Sequence, residues 1–347
     1  MALRGAALFA LVLALWPGPA LAQFSVLDTA QDGAPAGSAV SAPADAAPLP
    51  ACGNQPLGIA RLNWPSATLL AEIHALILAA EFDCDMRSVP GDMGVIASAM
   101  GATGQPAIAP ELWANRIADV WNGAIDAQMV RSAGPSYAED TFEGWFMPFY
   151  SASIVSGLPS AAGLAEILPL LAQGQRVRFI SCPPDWACSV INRNLLAAHG
   201  LSELVDIVEP ANRLEMDRLI AEAVNWREPF FFYYWQPNAV LAQLDFAAID
   251  MGTYDEAAAQ CLAGRSCADP QPSAFPPDLV VSALAERVFT TMPAIAGYFQ
   301  RASLPLAEMN QLLAELSLPG ATPESVAARF VAERGDLWRA WVGAGTP

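Results

Sequence analysis

The stretch Pro229–Trp235, PFFFYYW, constrains this chain more than any other. In a strand, successive side chains point to opposite faces. Bulky apolar groups at both parities therefore need cover on both sides, as in the interior of a sheet flanked by helices. That places the chain among α/β architectures.

The rest of the chain fits. LGIARLNW (57–64) reads as a strand, and 66–82 as a helix with Leu69, Leu70, Ile73, Leu76 and Ile77 at helical spacing and Ser66 at its N-cap. CDMRSVP, PAIAPELW (106–113), the extended aromatic GWFMPFYSASI (144–154) and RVRFIS (176–181) read as further strands or extended segments. DMGVIASAMGATG, GLAEILPLLAQ, SVINRNLLAAHG and NRLEMDRLIAEAVNW read as helices. After Trp235 the pattern is helical: Asn238–Phe246, Asp278–Thr290, Pro293–Ser303, Ala307–Leu316 and Pro323–Val342. No internal repeat is visible.

Residues 1–22 have a basic start at Arg4, a short apolar run and an Ala-Leu-Ala end, the pattern of a cleaved secretory signal peptide. Residues 23–51, rich in Ala, Pro, Gly and Ser, carry too little apolar surface to fold and read as a flexible leader. The first cysteine is Cys52, so no lipid anchor is expected after the cleavage site, and no later apolar run is expected to approach the length of a transmembrane helix. An exported, periplasmic protein follows. Six cysteines suit that oxidising compartment. Many pairings are open to six cysteines; the short-loop choice is Cys52–Cys84, Cys182–Cys188 and Cys261–Cys267, with free thiols as the alternative.

The chain has a formal net charge of −18 and no lysine. That argues against nucleic acid and anionic lipid as partners. Its two histidines, His74 in an apolar helical pattern and His199 before Gly200, where a cation would complement the helix dipole, read as structural. With no carboxylate cluster to join them, no metal, cofactor or catalytic set is expected.

Ten tryptophans are present, and nine lie after Trp16. Trp64, Trp113, Trp186 and Trp235 each close or follow a predicted strand, and Trp145 opens the extended aromatic segment. In parallel α/β sheets the loops at strand carboxyl ends share one side, where ligands bind. Several indole faces around a cavity stabilise a cation that makes no hydrogen bonds, such as a methylated ammonium. In Ser181–Val190, SCPPDWACSV, a Cys182–Cys188 bridge would stiffen the turn that presents Trp186. The amides of Ala187, Cys188 and Ser189 open the following helix, where an anion is favoured. One loop thus offers a wall for a cation and donors for a carboxylate. Trp121, Trp226, Trp338 and Trp341 read as structural or surface residues.

On CPPDWACSV and EPFFFYYWQP, supported by APELWAN and GIARLNWPSA, the chain over 52–347 resembles the periplasmic substrate-binding proteins of ABC importers for glycine betaine and related quaternary amines. The resemblance implies two α/β lobes, each a mostly parallel sheet flanked by helices, hinged by two crossovers: 52–147 with 237–347, and 148–236. It implies a cage from Trp113, Trp186 and Trp235, a wall residue at Trp64, Trp145 near the crossover, and carboxylate-receiving amides at Ala187 and Cys188. Its partners would be a methylated amine and the permease and ATPase of an importer, with the protein itself a monomer. The chain departs from the family pattern at Asp185, Ala187, Leu112 and Asn115. Glu111 and Glu143 stand beside cage positions and could offset a cation or accept a hydrogen bond; Arg116 is the candidate base for a carboxylate. These departures leave glycine betaine, proline betaine, choline, carnitine and trimethylamine N-oxide open.

Two other functions compete. A sensor would present the same cleft to a receptor. An exported enzyme would need chemistry that the sequence does not offer, since Cys-x5-Cys is not a redox motif and no nucleophile elbow, zinc helix or phosphate loop is present.

Overall fold

A computed structural model describes residues 51–153 and 159–343; the expected signal peptide and nearly all of the leader lie outside them. Ten strands form two five-stranded sheets among the described residues. They are β1 Leu57–Leu62, β2 Met86–Gly91, β3 Ile108–Trp113, β4 Val130–Pro135, β5 Glu143–Pro148, β6 Val177–Ile180, β7 Val205–Val208, β8 Phe230–Trp235, β9 Phe246–Ala248 and β10 Val280–Ala285. The sheet orders are β2-β1-β3-β10-β4 and β7-β6-β8-β5-β9.

In the first sheet β1 runs parallel to β2 and β3, while β10 is antiparallel to both β3 and β4. Four of its five strands therefore point one way, and β10, the strand that returns from the second lobe, points the other. The second sheet repeats the scheme. There β6 runs parallel to β7 and β8, and β5, which follows the first crossing, is antiparallel to β8 and β9. The two-lobed α/β fold expected from the sequence is the fold observed, with the reversed strand in each sheet marking a crossover. Residues 143–147 and 246–248, expected in the first lobe, pair in the second sheet; strand pairing over long separations, not local pattern, decides where the chain crosses.

The interior strands of the first sheet, β1, β3 and β10, are buried on both faces. Leu57 and Ile59 of β1 pack on one side with helix Pro65–Phe82 and the C-terminal helices, and Ala60 and Leu62 pack on the other with helices Met93–Thr103 and Ala118–Asp126. Helix Pro65–Phe82, 18 residues long, is apolar and long enough to cross a membrane, contrary to the sequence expectation. Here its length serves the core: Leu69, Ile73, Ile77 and Leu78 are fully buried. Its N-cap is Trp64, with Pro65 opening the first turn, rather than Ser66.

Several elements differ from the sequence reading. The helix expected over Asp278–Thr290 begins as β10 and becomes helical only at Glu286–Thr291. Every residue of VVSALA is buried, and a run with a single small polar residue carries no clear period to separate strand from helix. Asn238–Phe246 shortens to a turn of helix, Val240–Gln243, and Pro323–Val342 breaks into two helices at Arg334. Strands β4 and β7 and helices Ala118–Asp126 and Glu256–Leu262 were not anticipated.

The three short-loop disulfides are all formed: Cys52–Cys84, Cys182–Cys188 and Cys261–Cys267. Both histidines are structural. His74 is buried among Tyr298, Phe299 and Trp341, with Nδ1 2.7 Å from the Tyr298 hydroxyl. His199 packs edge-on to Trp145, and burial lowers its pKa; it contributes packing rather than the dipole charge expected.

Burial lowers the His74 pKa to about 3, while the unfolded chain takes up that proton near pH 6.5. The folded pKa is depressed, so this contribution is complete above about pH 6.5 and is lost as pH falls toward 3. Between pH 7 and pH 5 it amounts to about 2 kcal/mol. Melting curves over that range should show a steeper acid-side loss for the native protein than for His74→Phe.

Candidate functional site

Three tryptophans meet at one cavity of about 470 Å³, within the range of small-molecule clefts. Trp64 follows β1, Trp113 ends β3 and Trp235 ends β8, so two come from the first sheet and one from the second. Each sits at a strand's carboxyl end, as the sequence pattern requires. Ser66, Met93, Arg116, Arg213, Asn238 and Leu313 are among the other lining residues.

Glu111 organises the first-lobe wall. It lies two residues before Trp113 on β3, so both side chains leave the same face of the strand. The Trp113 indole N–H donates to Glu111 Oε1 at 2.9 Å, and the Trp64 N–H donates to the same oxygen at 2.8 Å. Ser66 Oγ donates to Oε1 at 3.0 Å, and the Tyr137 hydroxyl donates to Oε2 at 2.8 Å. The carboxyl is fully buried. Burial raises its pKa, and the four donors oppose that rise. With both N–H edges tied to one oxygen, the two indoles have little rotamer freedom left to lose when a ligand stacks on them.

Trp113 already carries a cation. The Arg116 guanidinium carbon lies 4.5 Å from its ring centroid. Arg116 is held there by Asp278, at 3.3 Å from Nε and 2.8 Å from one terminal nitrogen, with Glu143 3.7 Å away. Glu143 in turn accepts from the Tyr233 hydroxyl at 2.5 Å. Burial raises the Glu143 pKa against the opposing effects of Tyr233 and Arg116. This network joins the first lobe, the second lobe and the returning crossover beside the cavity. Asn115 fastens the same crossover, donating to the Pro277 carbonyl at 2.9 Å and accepting from the Leu279 N–H at 2.8 Å.

On the second lobe, Trp235 stacks on Tyr234 with centroids 4.7 Å apart and planes 8° from parallel. Trp186 caps helix Ala187–Ala198 and packs against Trp235, 5.7 Å between centroids, without lining the cavity itself. The helix's first amides, Ala187 and Cys188, have no intrahelical acceptor by position, and they too lie outside the cavity lining. Arg213, at the start of helix Arg213–Asn225, lies 3.7 Å from Asp217, which also accepts from the Tyr234 hydroxyl.

Trp145 is not at the cavity. It is fully buried in the second-lobe core, edge-on to Phe179, Phe231 and His199, and its N–H donates to Asn192 Oδ1 at 2.9 Å. The correction follows from register: β5 starts at the cleft end, where Glu143 lies opposite Trp235, and Trp145 lies opposite Tyr233, two residues farther into the sheet, where its indole packs in the second core. Asp185 stands in the Trp186 loop, outside the cavity lining. Of the remaining tryptophans, Trp121, Trp338 and Trp341 are buried and Trp226 is exposed.

Glu111 was only a neighbour of interest in the sequence, and Arg213 and Asp217 were not anticipated. For Glu111 a signal existed: it is the lone charge in the otherwise apolar strand IAPELW.

The model of the substrate-binding domain of ABC-type glycine betaine transport systems matches residues 55–333. Among solved structures, a glycine betaine/L-proline-binding protein from Borrelia burgdorferi aligns at TM-score 0.53 and 13% identity, over 84% of this chain and 98% of that one. Lactococcal OpuAC, closed on glycine betaine, aligns at 0.52 and 14%, over 83% and 100%. An ABC-transporter choline-binding protein in complex with choline aligns at 0.51 and 15%, over 84% and 92%. At these identities the likeness is one of fold. No curated protein sequence matches the chain.

Proposed function

Since the chain belongs to the family of substrate-binding domains of ABC-type glycine betaine transport systems, we propose that it captures a quaternary ammonium or methylated amine in the tryptophan-lined cavity and delivers it to an importer. The family consists of transport binding proteins rather than enzymes. The observation that carries the reading is the meeting of Trp64, Trp113 and Trp235, from both sheets, around one cavity. Indole faces favour a bulky, poorly hydrated cation over ammonium or a metal ion.

On this reading, residues 52–142 and 276–343 form one lobe and 143–275 the other, and the lobes close over ligand. Ligand touches both lobes together only in the shut form, and so shifts the population toward it. Closure brings Trp186 onto the ligand beside Trp235, with the Ala187 and Cys188 amides facing a carboxylate where the ligand has one. The protein works as an exported monomer, released by its signal peptide to the periplasm, with the importer's permease and ATPase as partners.

A thermal-shift panel tests this. Glycine betaine, proline betaine, choline, carnitine and trimethylamine N-oxide are compared on the purified mature protein, since a ligand that binds the native state raises the melting temperature. At least one should raise it in a saturable way. Trp186→Ala should then weaken the best of them about tenfold by calorimetry. No shift with any of the five would remove the reading.

A further inference from the structure

We propose that Glu111 is the counter-charge for the ligand's ammonium group, acting through the two indoles that it holds; this rests on the transport reading and adds the group that selects charge over shape.

All four partners of Glu111 are neutral donors: Trp64, Trp113, Ser66 and Tyr137. No arginine or histidine among the described residues lies within ion-pair distance of it. The cavity's two arginines are already committed, Arg116 to Asp278 and Glu143, and Arg213 to Asp217. Three donors converge on one carboxylate oxygen and a fourth reaches the other, an arrangement that suits the anion, which only accepts. A buried charge without an opposite partner is costly to a fold. Here the space beyond the two indoles is the cavity. The guanidinium on the Trp113 ring is shared with Asp278 and Glu143; a methylated ammonium seated against Trp64 and Trp113 would supply a further positive partner, with the rings between the two charges.

Two effects add. The buried anion attracts the cation through a medium of low dielectric. Each indole N–H given to a carboxylate also shifts electron density into its ring, which strengthens the negative face that the cation meets. Glu111 is thus a positioning residue with an electrostatic role. It does not touch the ligand, and shape alone would not need its charge.

The test separates charge from shape. Glycine betaine and choline are titrated against the carbon isosteres in which a neutral tert-butyl group replaces trimethylammonium, 3,3-dimethylbutanoate and 3,3-dimethylbutan-1-ol, on native protein and on Glu111→Gln. The native protein should prefer the ammonium member of whichever pair it binds. In Glu111→Gln the ammonium member should weaken about thirtyfold, the size expected of a unit charge several ångströms away in a protein-like dielectric, and the tert-butyl member less than about threefold. Equal loss for both members, or loss for neither, overturns the proposal and leaves the transport reading standing. Where the thermal-shift panel favours another of the five amines, that amine and its tert-butyl isostere replace these pairs; a native protein that binds none of the five removes the transport reading, and this proposal with it. Should Glu111→Gln fail to fold, Glu111→Asp supplies the converse: the charge is kept, so the ammonium preference persists even as both affinities fall, and its disappearance overturns the proposal. Indole ¹⁵N–¹H spectra of native protein add a readout free of variants. Two downfield, slowly exchanging N–H signals from Trp64 and Trp113 support it, and ordinary signals from both contradict it.

Discussion

Trp113→Ala is expected to lower affinity for the preferred methylated amine about a hundredfold. A desolvated indole face contributes roughly 2 kcal/mol to a cation. Its loss also removes apolar contact, and at about 1.4 kcal/mol per decade the two together approach two decades. Trp113 lines the cavity, and its ring meets one cation, the Arg116 guanidinium. The substitution also takes one of four donors from Glu111, so the variant should melt a few degrees lower, and its affinity is to be read below that transition. Trp113→Phe keeps an aromatic face and loses the N–H. It should fall between native protein and Trp113→Ala. A calorimetric titration of Trp113→Ala that matches native protein would place the ligand elsewhere.

Trp145→Ala should do the reverse: a large loss of stability with no loss of affinity. The side chain is fully buried against Phe179 and Phe231, and its N–H satisfies Asn192. Truncating a core tryptophan costs about 3–5 kcal/mol through lost contact and the cavity left behind. The stranded Asn192 carbonyl adds to that. Denaturant unfolding measures the loss. Binding is measured on the milder Trp145→Phe, which retains most of the packing. A clear drop in its affinity would return Trp145 to the site.

The contrast between these two residues shows what the sequence made legible. An apolar run such as PFFFYYW declares a doubly covered strand because both parities are bulky, and a tryptophan closing it falls where strand ends open. GWFMP looks the same locally, yet its tryptophan falls opposite Tyr233, inside the sheet, and that register depends on a partner strand far along the chain. VVSALA was read as helix for a related reason. Its pairing with β3 and β4 bridges some 150 residues, and nothing nearby records it. The cysteine pairs formed are the sequence-neighbour choice among the many that six cysteines allow. The role of Glu111 was not legible: its four donors come from Trp64, Ser66, Trp113 and Tyr137, on segments that only the folded sheet and helix bring together. What the sequence did offer was a lone charge in an apolar strand, a signal that something must meet it.

The account depends most on indoles from two lobes enclosing one methylated cation. A crystal structure of the protein with the amine that gives the largest thermal shift tests this most directly. The account predicts the quaternary nitrogen within about 6 Å of the ring centroids of Trp64, Trp113 and Trp235 together, with Trp186 moved onto the ligand. A ligand seated away from these rings, or held by polar groups with the indole faces turned aside, would contradict it.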